Sequence, residues 1–419
     1  MMIKKNNTFI TLLLVSLILG VAFTQQKPFY CQAPEPNPSL NTDGLTLKMV
    51  QILTRHGDRT PLYSTLKSTM NKWDCDLGWL MVSSLNNVPG PATDVDRLFR
   101  KVYMPNREYF PGNCSDGQLT SIGFQQHLSL GQSLRQLYVD KYELLPSQLS
   151  TDASSTIWIR STDVPRTIQS VQGHLTALFP PSTVSGGSNI PIININTMDA
   201  YYENMTPNPT LCPELATLIA NTTTTPEWEE FLTNTTQLRS DVMGTLGITV
   251  FPGWSSLMDL FFATQCHDFP LPDGITQEMV TAVYDAAYWE YQYQLSFPMV
   301  ARLGMSTFLE EVVDNIRAFV NGTSSIKYIV FSGHDDSVGP FTNLFGLMKE
   351  WPPYASHVEL ELWADQSNNY YLQFKFNGQS YTLNGCGDVM CPIDSFFEVA
   401  YSILVPDYAD ACLNSTMAL

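Results

Sequence analysis

Three short segments of this chain bring together the side chains that attack on a phosphoryl group requires. The first, Arg55-His56-Gly57-Asp58-Arg59-Thr60-Pro61, sets a histidine between two arginines. Imidazole is a competent nucleophile, and guanidinium forks match phosphate oxygens bidentately. Gly57 lets the backbone turn tightly beside the ring. The second segment, Ile159-Arg160-Ser161-Thr162-Asp163, adds a third arginine, and the third, Phe331-Ser332-Gly333-His334-Asp335, a second histidine and a carboxyl. His56, His334, Arg55, Arg59, Arg160 and Asp335 thus supply a nucleophile, an oxyanion clamp and a general acid. A lone histidine between arginines is more often a turn residue flanked by surface charges. Three such segments, each after an apolar run, favour chemistry.

Those runs are the elements that must position the side chains. Residues 47–53 (LKMVQIL), 157–159 and 327–331 (KYIVF) read as buried strands. Between them, 121–138 and 164–179 carry helical periodicity, the second stopped by Pro180 and Pro181. A further helix is predicted at 306–320, and 357–363 and 370–376 alternate around a polar turn as an antiparallel hairpin. From 199 to 298 the chain reads as mostly helical, with Pro226 opening one helix and 276–295 forming another. The expected fold is α/β, a central, mostly parallel sheet covered by helices, with core segments 25–198 and 299–419 and a mostly helical insertion, or cap, at 199–298. In such sheets ligands bind at the carboxyl ends of the strands, where all three segments fall.

Residues 1–24 read as a signal peptide: Lys4 and Lys5 precede an apolar run, with small residues before Gln25. No later stretch is apolar enough to span a bilayer, so no membrane span is expected after its removal. The eight cysteines, Cys31, Cys75, Cys114, Cys212, Cys266, Cys386, Cys391 and Cys412, fit disulfides in an exported chain. Sequons at Asn113, Asn204, Asn221, Asn234, Asn321 and Asn414 predict surface glycosylation, least securely at Asn204, which Pro207 follows closely. A formal net charge of −18 argues against nucleic acid as a partner. With only 15% charged residues, protonating carboxylates would ease self-repulsion, which is compatible with an acidic compartment.

The segment RHGDRTP resembles the RHGxRxP signature of the histidine acid phosphatases, a branch of the phosphoglycerate-mutase-like superfamily. Gly333-His334-Asp335 resembles that family's downstream histidine–aspartate pair, and 159–167 (IRSTDVPRT) and 118–135 are similar to the segments between them. The likeness spans about 47–412 and is nearest to the prostatic and lysosomal members. It implies a phosphomonoester substrate, with His56 forming a phosphohistidine. Arg55, Arg59, Arg160 and His334 would hold the non-bridging oxygens, and Asp335 would protonate the leaving oxygen. It places Arg166 outside the clamp and requires no metal or cofactor. It also implies disulfides Cys212–Cys412 and Cys386–Cys391. The family's third bridge would join Cys266 to the position of Ser356, and so is absent. That leaves the pairing of Cys31, Cys75, Cys114 and Cys266 open.

His127 and His174 read as packing or capping residues, His267 and His357 as structural or surface ones, and Asp336 as a lesser alternative to Asp335. Delivery is expected to be secreted or lysosomal, and a homodimer or a secreted complex is compatible with the sequence. Phytase is the nearer rival, but residues 199–298 carry Arg239 as their one lysine or arginine, too little for a polyanionic substrate. The rival from another class is a secreted phosphatase-like glycoprotein acting as an extracellular signal or complex subunit.

Overall fold

The computed structural model of the chain describes residues 29–62, 73, 75, 112–149, 153–180 and 192–413. The predicted signal peptide and the sequon at Asn414 lie outside the described residues. In chain order the first half gives β1 (Thr46–Arg55), α1 (Ser121–Arg135), β2 (Ile157–Ser161), α2 (Pro165–Leu178) and a short β3 (Ile195–Asn196). Five helices follow: α3 (Pro213–Thr222), α4 (Pro226–Leu246), α5 (Trp254–Cys266), α6 (Gln277–Leu295) and α7 (Pro298–Val320). The remainder is β4 (Tyr328–Gly333), α8 (Asp335–Leu344), β5 (His357–Ala364), β6 (Tyr370–Phe376), β7 (Gln379–Tyr381), β8 (Met390–Pro392), α9 (Ile393–Ile403) and α10 (Tyr408–Ala411).

The strands form one sheet in the order β3-β2-β4-β1-β5-β6-β7, with β8 against β6. The four strands β3, β2, β4 and β1 run parallel, and the pairing becomes antiparallel from β5 onward. Strand alternation sends Val50, Ile52, Ile159 and Val330 to the face covered by α1 and α2, and Met49, Leu53, Ile329 and Phe331 to the face covered by α7. The hairpin pairs Val358 with Phe376 and Ala364 with Tyr370. Within it Lys375 is fully buried and donates to Glu359 (2.6 Å) and Glu361 (3.2 Å), so charges sit inside only because they are paired.

Helix α7 starts eight residues before its predicted position. Pro298 opens it, and Gly304 serves close packing, since a Cβ there would lie 3.2 Å from Pro207. Both core histidines are buried packing residues. His127 Nε2 meets the Arg55 carbonyl at 3.0 Å, and His174 Nε2 meets the Tyr328 hydroxyl at 2.7 Å. Helices α4 to α6 build their own apolar cluster around Phe231, Trp254, Phe261 and Val283, which also takes in Tyr30, Trp351 and Tyr354.

Four disulfides join the eight cysteines: Cys31–Cys266, Cys75–Cys114, Cys212–Cys412 and Cys386–Cys391. Cys266, whose family partner is replaced by Ser356, is thus joined to Cys31 instead. Asn113, Asn221, Asn234 and Asn321 are exposed. Asn204 is half-buried, its Oδ1 accepting from Arg160 (2.7 Å) and its Nδ2 facing Glu311 (3.4 Å), so a glycan there would break both contacts.

Cys212–Cys412 closes a separation of 200 residues and Cys386–Cys391 one of 5. Loop-closure entropy makes the first worth about 5 kcal/mol and the second about 2 kcal/mol. Replacing both cysteines of a pair by serine should therefore lower the denaturation midpoint more for 212/412 than for 386/391, measured by urea unfolding. Equal losses would show that strain or denatured-state structure outweighs loop entropy.

Candidate active site

Parallel pairing aligns three strand ends. Arg55 at the end of β1 lies opposite Gly333 of β4, and Ser161 of β2 lies opposite Ser332. The His56 amide donates to the Gly333 carbonyl (2.9 Å), and the Thr162 amide to the Ser332 carbonyl (3.1 Å). His56 and His334 come within 5.5 Å, ring centre to ring centre, edge to face.

The loop after β1 is held by helix α1, which packs backbone to backbone against it. A Cβ on Gly57 would lie 2.2 Å from the Gly123 carbonyl oxygen, and one on Gly123 would lie 2.1 Å from that of Asp58. Neither position admits a side chain. Asp58 is buried and structural: its carboxylate accepts from Thr120, the N-cap of α1 (2.5 Å), and meets His267 Nε2 (2.6 Å).

His56 is buried, with Nδ1 2.7 Å from the Gly57 carbonyl oxygen. A carbonyl only accepts, so Nδ1 carries the proton and Nε2 keeps its lone pair. Burial, then the charges of Arg166, Arg59 and Arg55, hold the imidazole well below its ordinary pKa. The ring is a neutral base in a cationic cradle.

The predicted cations differ in the partners they meet. Arg55 is fully buried: its guanidinium lies 4.7 Å from the Tyr30 ring and 4.4 Å from the Tyr354 ring, donates to the Tyr30 hydroxyl (2.7 Å) and the Pro352 carbonyl (2.5 Å), and pairs with Asp335 (3.0 Å). Arg59 pairs with Asp259 of α5 (2.9 Å), a partner the sequence reading did not find. Arg160 does not join them. Position 160 of β2 alternates with Ile157 and Ile159, so its side chain leaves on the α7 face, where it pairs with Glu203 (2.6 Å) and Glu311. Arg166 takes the place expected for Arg160. It sits in the first turn of α2, its Nη2 3.3 Å from His334 Nδ1, and among the described residues it forms no ion pair. Burial, followed by Arg59, draws its pKa down to about 10, leaving it charged and unneutralised. Alternation along β2, together with an arginine directly after a helix-opening proline at a strand end, was the signal that could have exchanged the two.

His334 caps α8 and lies 2.9 Å from the Thr162 hydroxyl. Burial, then Arg166, lowers its pKa to about 3. Asp335 accepts from Trp351 Nε1 (2.8 Å). Burial opposes its ionisation, but Arg55 and Arg59 outweigh that and hold the carboxyl at about 2. Asp336 opens to solvent in a neighbouring cavity. Its crowded surroundings and the adjacent Asp335 push its carboxyl above the usual range.

The arrangement is a neutral imidazole facing fixed positive charge, with a carboxyl at its rim. Residues 46–377 match the family model described as histidine phosphatase superfamily (branch 2). The chain is 88% identical to counting factor 60 of Dictyostelium discoideum, over 99% of this chain and all of that protein. It is 27% identical to prostatic acid phosphatase of Rattus norvegicus, over 81% of this chain and 94% of that one. Among solved structures it resembles the phytase of Citrobacter braakii in fold, with a TM-score of 0.60 at 15% identity, covering 87% of this chain and 99% of that one.

Two predictions follow from this geometry. Arg166→Ala should raise the dissociation constant for inorganic phosphate by at least about tenfold. Arg160→Ala should leave phosphate binding within about threefold of the unaltered protein and lower stability instead, because Glu203 loses its cation. Calorimetric titration alongside thermal unfolding separates the two, and the reverse pattern would return Arg160 to the clamp. The second concerns pH. His127, His174 and His334 have folded pKa values of about 4, 3 and 3, below the ordinary 6.5. The unfolded chain therefore takes up protons first on acidification. Stability should be complete above about 6.5 and fall progressively toward pH 3, with saturating phosphate offsetting part of the loss. Unfolding midpoints measured across that range, with and without phosphate, test it.

Proposed function

Since the chain belongs to branch 2 of the histidine phosphatase superfamily, we propose that it is an acid phosphatase, hydrolysing phosphate monoesters through a phosphohistidine on His56. One observation carries this reading: the Gly57 carbonyl fixes the His56 tautomer that leaves Nε2 free, beside three arginines at one strand-end cluster.

In the proposed reaction Arg55, Arg59 and Arg166, with His334, hold the non-bridging oxygens. His56 Nε2 bonds to phosphorus as the ester P–O bond breaks, and the departing oxygen takes a proton from Asp335. Water then attacks the phosphohistidine and returns a proton to Asp335, leaving inorganic phosphate and free His56. Arriving phosphate competes for the arginines that keep Asp335 ionised, so substrate itself raises the carboxyl's pKa toward the protonated form. Acid favours that protonation without protonating His56, whose surroundings keep it neutral. An acidic optimum follows. We read 199–298 as the cap bounding the leaving group, and the scarcity of cations there favours simple monoesters over phytate.

The four disulfides favour an oxidising secretory route, secreted or lysosomal. The 88% identity to a protein named as a counting factor favours a second reading, an extracellular factor or complex subunit with or without catalysis. A His56→Ala protein that retains such a role would separate it from the enzymatic one.

Brief incubation with labelled aryl phosphate should leave an acid-labile, alkali-stable label on the unaltered protein and none on His56→Ala; equal labelling would exclude His56. Asp335→Asn should slow alkyl phosphates far more than aryl phosphates, since a phenolate leaves with less protonation. A uniform loss would make Asp335 an orienting residue and Asp336 the donor.

A further inference from the structure

Between the strand-end cluster and helices α5 and α6 lies a cavity of about 380 Å³. Arg59 and Asp335 line one side, so the cavity is continuous with the place where a phosphoryl group would bind. Arg59 is buried, and its Nε has no hydrogen-bond partner. Glu290, Tyr291, Trp351 and Asp336 also line it, Trp351 and Tyr291 each donating to Asp335.

The charges there do not cancel. Among the described residues lining the cavity, Arg59 is the only cation, and it is paired with Asp259. Asp335 is paired with Arg55 behind it. Glu290 and Asp336 remain, and neither forms an ion pair with a described residue. Burial raises the Glu290 carboxyl from its ordinary range, as crowding and Asp335 raise that of Asp336. Beside them the Tyr291 and Trp351 rings pack 4.6 Å apart at 32°, and Trp351 is fixed by its hydrogen bond to Asp335. Asp336 is hydrogen-bonded to Tyr291, yet no described cation neutralises either carboxyl, and aromatic rings flanked by such carboxyls form a site for an organic cation.

We propose that this cavity is a leaving-group subsite for a positively charged alcohol, so that the chain takes amino-alcohol phosphates such as phosphocholine in preference to neutral or polyanionic monoesters. The inference rests on the phosphatase reading for the position of the phosphoryl group, but its test is a binding measurement. The phosphate of such a zwitterion meets the arginines, and its ammonium group meets Glu290, Asp336 and the two rings. A polyanion would place its further phosphates against the same carboxylates and be repelled.

The test compares phosphocholine with 3,3-dimethylbutyl phosphate, its uncharged carbon isostere, for binding to the His56→Ala protein, which cannot consume either, at about pH 8, above the raised range of the Glu290 and Asp336 carboxyls. Phosphocholine should bind at least about tenfold more tightly. Adding Glu290→Gln and Asp336→Asn to that protein should bring the two ligands within about threefold of each other. Equal affinity, tighter binding of the isostere or no measurable binding of phosphocholine would overturn the proposal, as would a preference that survives both substitutions. Turnover of p-nitrophenyl phosphate by the unaltered protein decides the phosphatase reading separately: turnover with equal binding of the isosteres defeats the subsite alone, and selective binding without turnover defeats the reaction alone.

Discussion

The buried guanidinium of Arg55 is the constraint that the rest of the structure satisfies. A charge with no exposed surface must be met within the fold, and here Nε alone of the guanidinium nitrogens has no hydrogen-bond partner. The charge is met by two tyrosine rings, a phenol oxygen, the Pro352 carbonyl and the Asp335 carboxylate. These partners come from the turn before β1, from the start of α8 and from the segment leading into β5. One side chain thereby draws the first described turn, the central sheet and the last third of the chain onto one point. Tyr30 carries the linkage outward, since Cys31 beside it is bonded to Cys266 at the end of α5.

The same cations solve a problem of proton balance. The proposed reaction in acid would need a nucleophile that does not protonate and an acid that does. The arginines repel a proton from His56 and also hold Asp335 ionised while the site is empty. A bound phosphate dianion changes the second effect more directly than the first, because His56 is also held neutral by burial. Asp259 serves as ballast here: by pairing with Arg59 it reduces the positive charge of the cluster.

Much of this was legible in the residues. The strands, the hairpin and the chief helices follow from local periodicity, and RHGDRTP and Gly333-His334-Asp335 mark two of the three strand ends. The exchange of Arg160 for Arg166 was not read, because it depends on which face of β2 each side chain leaves and on the direction in which α2, itself predicted, aims its first turn. Helix α5 was missed as an element because it buries residues on several sides, including Leu257, Met258, Asp259 and Phe261, leaving little amphipathic period to detect. Cys31–Cys266 joins residues 235 apart, and proximity of that kind belongs to the tertiary fold.

The placement of β1 bears on how the protein is made. Its neighbours in the sheet are β4 and β5, both from the last third of the chain, with Val50 paired to Tyr328 and Glu361. An emerging chain therefore holds an apolar strand with neither edge covered until most of the polypeptide has been synthesised, and Cys31 must likewise wait for Cys266. Folding of the sheet is a late event, completed at or after release from the ribosome. A product cut short before Tyr328 lacks both sheet neighbours of β1 as well as His334, so it holds neither the central sheet nor the strand-end cluster.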